Sequence, residues 1–321
     1  MRAAVRERYG PEEVIEVRDV PKPAPEDDCV LVRVRATSVN KADWYILRGQ
    51  PYVGRVPLGL RAPKSPLLGA DFAGIAEAVG KDVTDIKPGD EVFGARGGAF
   101  AQYVSVRNGI ALKPAHLSFE EAAAVPVAAT TALQGVRDKG KVQAGEKVLI
   151  NGASGGVGTF AVQIAKAFGA DVTAVCSPQN VELARLLGAD RVIDYTRDDF
   201  TRTGERYDVL FDNAGSKTWS KCRRVMKPHA RVVLVGGQTR SRLLGPLTHT
   251  AAMLLGAARS SQKAAFFVAK ITRPDMNVLR ELLETRKVSP VIDRRYDFDQ
   301  LADALRYLGE GHAKGKIVVS L

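Results

Sequence analysis

The stretch KVLINGASGGVG (147–158), followed by TFAVQIAKAFG (159–169), constrains this chain more than any other. Val148, Leu149 and Ile150 form the continuous apolar run of a strand buried on both faces. Val157, Phe160, Ala161, Ile164, Ala165 and Phe168 then recur at helical spacing, and Gly169 closes the helix. Strand, glycine turn and helix in immediate succession present the unpaired N–H groups of a helix start, which suit phosphate oxygens. Gly155 lets the backbone approach a pyrophosphate, and Gly158 allows helix and strand to pack closely. The segment reads as a dinucleotide site lined by Ala153, Ser154, Gly155, Gly156, Val157 and Gly158. An ordinary glycine turn is the alternative, because Ala153 stands at the first glycine of G-x-G-x-x-G. The apolar strand DVTAVC (171–176) directly after the helix weighs against it.

Where such a turn binds NAD, an acidic residue at the end of the second strand grips the ribose 2′-hydroxyl. Here that position reads SPQN (177–180). No carboxylate repels a 2′-phosphate there, and Ser177, Gln179 and Asn180 can donate hydrogen bonds to one. NADP(H) is therefore the expected cofactor, with Tyr195 or Arg197 as further phosphate candidates. Ser177 or Asn180 also suits a helix N-cap, and both roles can hold together.

A chain of 321 residues with 45% hydrophobic content can bury two cores. Cys29, Cys176 and Cys222 are too few and too scattered for a disulfide framework, which points to a reducing compartment. The apolar run AAMLLG (251–256) is too short to cross a bilayer. A cytoplasmic protein with no membrane partner is expected. The net charge of +11 invites nucleic acid, but the basic residues have acidic neighbours throughout. The densest patch, around Arg223, Arg224, Lys227 and Arg231, has few aromatics for base stacking. A surface that attracts anionic cofactors is the better reading.

To about residue 123 the chain is turn-rich and strand-like, with alternating runs at 2–6, 30–36, 72–79 and 101–106. Strands and helices alternate thereafter, with strands expected at 147–151, 171–176, 191–194, 209–212, 231–236 and 265–269. The expected organisation is an irregular, mainly antiparallel β domain over 1–123, completed by 271–321. A doubly wound parallel Rossmann sheet spans 124–270, with the active cleft between the two domains. An apolar sheet edge around 266–270 would call for a homodimer.

The motifs SVNKADWY (38–45), LGADFAG (68–74), KPGDEVF (87–93), ATTA (129–132), GADRVIDY (188–195) and HAKGK (312–316) occur in this order around the glycine turn. Together they resemble the medium-chain dehydrogenase/reductase superfamily, in its zinc-free quinone oxidoreductase branch. The resemblance implies a GroES-like β domain beside the Rossmann sheet. Asn40, Ala70 with Asp71, and Pro126 fall where the superfamily's alcohol dehydrogenases hold catalytic zinc, and none of these suits zinc. No metal is expected. The resemblance also places Asn40, Asp43 and Tyr45 at the nicotinamide end and has Thr130 face the nicotinamide. Asp212 and Asn213 end the fourth strand, Gly236 and Gln238 end the fifth, and Phe267 and Lys316 are further candidates on the cofactor side.

Hydride transfer to a quinone or to the β-carbon of an enone needs less electrophilic help than alcohol oxidation, because the acceptor is already electron-poor. Asn40 could donate its amide N–H to the developing oxyanion, and Tyr45 or Tyr52 could hydrogen-bond it or supply a proton. Asn40 and Asp43 also fit a turn and helix cap, and the two tyrosines fit packing at a domain seam. The competing functions are an NADP-dependent ketone or aldehyde reductase, and a non-catalytic NADPH-binding sensor, structural protein or RNA binder.

Overall fold

The computed structural model describes residues 1–236, 245 and 247–321; Gln238 lies outside the described residues. The chain opens with β1 (Arg2–Val5), β2 (Glu16–Asp19), β3 (Val30–Val39), α1 (Lys41–Arg48), α2 (Arg55–Leu58) and β4 (Asp71–Val79). Next come β5 (Glu91–Ala95), β6 (Tyr103–Val106), β7 (Ile110–Leu112), α3 (Phe119–Ala123) and α4 (Pro126–Leu133). An alternating stretch follows: β8 (Lys147–Asn151), α5 (Gly156–Ala167), β9 (Asp171–Cys176), α6 (Val181–Leu186) and β10 (Arg191–Asp194). It continues through β11 (Tyr207–Asp212), α7 (Trp219–Arg223), β12 (Met226–Leu234), α8 (Leu247–Ala258) and β13 (Lys263–Phe266). The chain closes with α9 (Arg273–Glu284), β14 (Ile292–Asp297), α10 (Leu301–Glu310) and β15 (Lys316–Ser320).

Two compact units result. The first comprises Met1–Thr130, Lys270–Arg286 and Pro290–Leu321, and the second Thr131–Ala269 with Lys287–Ser289. The first unit runs past the expected limit at 123 to Thr130, taking in the start of α4, whose Val127 N–H is held by Asp71 of β4. Its seven-stranded sheet has the order β14-β15-β3-β4-β5-β7, with β6 also pairing β3. Val30, Val32, Phe72, Val92 and Ile110 fill one core cluster, and Leu47, Phe100, Leu301, Leu305 and Val319 fill another. β15 lies antiparallel to β3, with Ile317 opposite Val39, while Ser38 pairs with Asp71 of β4. This register brings Lys316, Asn40 and Asp71 together from three distant parts of the chain.

In the second unit all six strands are parallel, in the order β10-β9-β8-β11-β12-β13. Counted within the unit this is 3-2-1-4-5-6, the Rossmann order, whose switch point lies at the carboxyl end of β8. Val148, Leu149, Ile150, Val172, Ala174, Leu210 and Phe211 are buried, as a sheet covered on both faces requires. The sixth strand sits earlier than the 265–269 expected from its apolar run. β12 stops at Leu234, the partner of Phe266, so nothing remains for Phe267 and Val268 to pair with.

Candidate functional site

In the second unit, β8 ends in Gly152, whose φ of +84° turns the chain toward α5. A Cβ at Gly158 would stand 2.1 Å from the Gly152 carbonyl oxygen, so helix and turn touch there and no side chain fits. Gly155, the N-cap of α5, differs. Its φ of −79° and ψ of 172° suit any residue, and an added Cβ would meet nothing nearer than Asn213 Nδ2 at 3.6 Å. Neither backbone nor packing requires glycine at 155, so the open space above it is free for a ligand. Gly156, Val157 and Gly158 begin the helix with N–H groups that no backbone carbonyl accepts. These features fit the pyrophosphate of a dinucleotide.

Ser177 follows β9, and Tyr195, largely exposed, donates its backbone N–H to the Cys176 carbonyl beside it. Asn180 is buried. Its Nδ2 donates to Ser154 Oγ at 3.0 Å and Ser177 Oγ at 2.9 Å. That amide therefore ties the glycine turn to the end of β9 instead of reaching a 2′-phosphate, as the sequence suggested. Cys176 is a buried free thiol, pushed up to about 11 by burial. At the end of β11, buried Asp212 accepts from Asn151 Nδ2 at 2.8 Å and from the Gly215 N–H at 2.9 Å. Its Oδ2 has no hydrogen-bond partner, and His249 Nε2 stands 3.9 Å away. Gly236 is explained within the protein, since a Cβ there would lie 2.4 Å from the Asn213 carbonyl oxygen. The close approach it permits within the protein is to Asn213. Phe267 is half-buried beyond β13, with Lys139 Nζ 5.9 Å from its ring.

The first unit holds a buried polar cluster. Asn40 caps α1, and its backbone N–H donates to Asp43 Oδ2 at 2.8 Å. Asn40 Nδ2 donates to Asp71 Oδ2 at 2.8 Å, and Asn40 Oδ1 accepts from Lys316 Nζ at 2.6 Å. Asp71 Oδ2 also accepts from Ser38 Oγ at 2.6 Å and Lys316 Nζ at 3.2 Å, and its Oδ1 accepts from the Val127 N–H at 2.9 Å. Burial, reinforced by the Asp71 charge, pushes the Asp43 carboxyl up to about 7. Lys316 was expected at the cofactor's phosphate or ribose. It is instead 3% exposed, with its ammonium spent on Asn40, Asp71 and the Val39 carbonyl. Nothing in HAKGK (312–316) signalled this, because the partners lie on β3 and β4.

Asn40, Asp71 and the start of α4 do come together, as the zinc positions of the resemblance would. The donors they offer are an amide, a carboxylate and backbone, with an ammonium already among them. That set does not suit zinc. Among the described residues the only other group with metal-ligand spacing is Glu26, Asp28 and Cys29, and Arg107 ion-pairs both of its acids. Tyr45 stacks edge-on against Trp44, with ring centroids 5.3 Å apart, and Tyr52 is 41% exposed with the Arg55 guanidinium 4.7 Å from its ring. Thr130 is fully buried, and its Oγ1 has no partner. The backbone-directed bond open to such a hydroxyl is not made.

A glycine-turn Rossmann sheet together with a mainly antiparallel β unit defines a two-part dinucleotide-dependent oxidoreductase. The zinc-binding dehydrogenase profile matches residues 187–319, and the alcohol dehydrogenase GroES-like domain profile matches 26–115. The chain is 33% identical to the 2-methylene-furan-3-one reductase of Solanum lycopersicum, covering 97% of this chain and 76% of that protein. It is 32% identical to the NADPH-dependent alkenal/one oxidoreductase, chloroplastic, of Arabidopsis thaliana, covering 99% and 79%. The quinone oxidoreductase structure from Coxiella burnetii superposes with a TM-score of 0.87 at 28% identity, covering 100% and 99%. The protein belongs to the medium-chain dehydrogenase/reductase superfamily, in its quinone-oxidoreductase-like branch.

Two outcomes test this geometry. Gly→Ala inside a helix ordinarily stabilises by up to about 1 kcal/mol. Gly158→Ala should instead lower stability by more than about 2 kcal/mol in denaturant melts. Gly155→Ala should melt like the wild type while losing at least tenfold in dinucleotide affinity by calorimetry, roughly the 1.4 kcal/mol of one lost contact set. The second outcome concerns Asp43. Its folded value, about 7, lies above the unfolded value of about 4, so the native state holds the extra proton between them and stability falls as pH rises through that window. Asp43→Asn, which cannot ionise, should gain melting temperature relative to the wild type from pH 4 to pH 7. A constant difference across that range would refute the assignment.

Proposed function

We propose that this protein is a metal-independent reductase that uses NADPH to reduce a quinone or the conjugated double bond of an α,β-unsaturated carbonyl. The observation that carries the reading is an open dinucleotide turn in a chain whose zinc positions hold Pro126 and, bound to the Lys316 ammonium, Asn40 and Asp71. The names of the tomato and Arabidopsis relatives support the acceptor class. Bound NADPH would supply the hydride. Gly156, Val157 and Gly158 hold the pyrophosphate through their N–H groups, and the Ser177 hydroxyl meets the 2′-phosphate; no acid follows β9 in the chain, and Asp194 of β10, opposite Cys176, accepts from Thr196. Thr130 offers its unpaired hydroxyl to the cofactor.

Asn40 keeps one amide N–H beyond the bond to Asp71, and that N–H stabilises negative charge on the acceptor oxygen. Tyr45 or Tyr52 delivers the proton that balances the hydride. Asp43, whose carboxyl burial pushes up to about 7, accepts the Asn40 backbone N–H and so fixes this donor's direction. We further propose a homodimer formed across β13, supported by the exposed Phe266 and Val268 at the sheet's edge. The cytoplasm is the proposed location, supported by three buried free cysteines.

The activity test is NADPH oxidation with 9,10-phenanthrenequinone and with 2-alkenals. Saturable turnover that survives chelators is expected, and activity lost to EDTA and restored by zinc would overturn the reading. Ser177→Asp should shift the preference from NADPH toward NADH by repelling the 2′-phosphate; an unchanged ratio sinks that assignment. Asn40→Ala should lower turnover by up to about 100-fold, the cost of a lost oxyanion donor, with NADPH affinity unchanged. Tyr45→Phe should lower it less, since Tyr52 remains. Full turnover in both variants would leave the site working by orientation alone.

A further inference from the structure

Of the large apolar side chains exposed among the described residues, Tyr52 (41%), Val53 (41%), Val56 (64%) and Leu60 (69%) fall within nine consecutive positions on and beside α2. Residues 44–70 contain Arg48, Arg55, Arg61 and Lys64 and no Asp or Glu. Arg48 pairs with Glu12; Arg55, whose Nε donates to the Gly49 carbonyl, and Arg61 and Lys64 form no ion pair among the described residues. Beneath them Arg6 is 3% exposed, and its Nε and Nη1 have no acceptor. Arg6, Tyr9, Arg55 and Tyr52 form a ladder in which each guanidinium faces a ring, at 5.4 Å, 4.4 Å and 4.7 Å. At the end of the segment, Pro66 and Leu67 border a cavity of about 380 Å³ with Arg96 on its wall.

Such a patch is costly in water, and unbalanced cations at its rim call for an anionic counterpart. We propose that residues 52–64 dock this protein on an anionic bilayer surface, with Val53, Val56 and Leu60 entering the acyl boundary and Arg61 and Lys64 meeting the lipid phosphates. A nucleic acid would match the cations but give Val56 and Leu60 no apolar partner. A bilayer matches both. The docking is peripheral, since no helix among the described residues is long and apolar enough to cross a membrane. It runs against the expectation of no membrane partner. Its functional meaning, an acceptor drawn from the lipid phase, rests on the quinone reading above.

The test is co-sedimentation of the full chain with phosphatidylcholine vesicles, with and without phosphatidylglycerol, at low and high salt. It needs no turnover, so it fails separately from the proposed activity. The wild type should sediment only with the anionic vesicles and be released by salt. Arg61→Gln and Lys64→Gln should each weaken binding roughly fivefold, as loss of one basic side chain near a charged membrane does. Val56→Asp combined with Leu60→Asp should abolish binding with an unchanged melting temperature. The proposal is overturned if the wild type ignores anionic vesicles or if the double apolar variant still binds. It is equally overturned if light scattering shows a self-association that this variant abolishes, because a second copy then covers the patch.

Discussion

The first unit depends on a single buried carboxylate. Asp71 draws Ser38 and Asn40 from β3 and its end, Lys316 from β15 and the Val127 N–H from α4, and its side chain is completely buried. Removing one side of a buried ion pair costs about 3–5 kcal/mol, because the remaining charge stays desolvated. The sheet register follows from the same requirement. Ile317 must lie opposite Val39, and Ser38 opposite Asp71, for the ammonium to reach both acceptors. The C-terminal strand is therefore held into the N-terminal sheet by chemistry as well as by the apolar faces of Val318 and Val319.

That dependence explains what was legible in the sequence and what was not. Apolar runs beside the glycine turns mark β8 and β9 to the residue, because strands buried on both faces have little polar interruption to blur their ends. The apolar run at 265–269 begins two residues after β13 does and continues past the last partner that β12 offers. Gly155 and Gly158 look alike in sequence. Only the coordinates show one constrained by the Gly152 carbonyl and the other by nothing in the protein.

Side-chain roles were harder to read wherever a partner lies far along the chain. Lys316 and Asp71 are 245 positions apart, so no local pattern reveals their bond. Asn180 was read as a donor to the cofactor on its position after β9, yet its amide turns inward to Ser154 and Ser177. Local features fared differently. Asn40 and Asp43, three residues apart, carry a helix-start signature, and Asp43 does accept the Asn40 N–H. Capping and a chemical role are compatible there, because the cap uses the backbone N–H and leaves the side-chain amide to other partners.

The commitment of Lys316 also bears on which acceptors such a site can serve. Its ammonium has three oxygen acceptors between 2.6 and 3.4 Å, so it is neutralised in place and unavailable to polarise a substrate. What remains for an acceptor oxygen is neutral, the second Asn40 amide N–H and the tyrosine hydroxyls proposed above, each a net contribution of about 1 kcal/mol as a hydrogen bond, far below what a metal ion supplies to a developing alkoxide. An isolated ketone places its full negative charge on one oxygen and would gain little from these donors. A quinone or enone spreads that charge over its conjugated system, so the barrier left for the protein is chiefly one of orientation. A neutral donor set of this kind selects acceptors that arrive already activated.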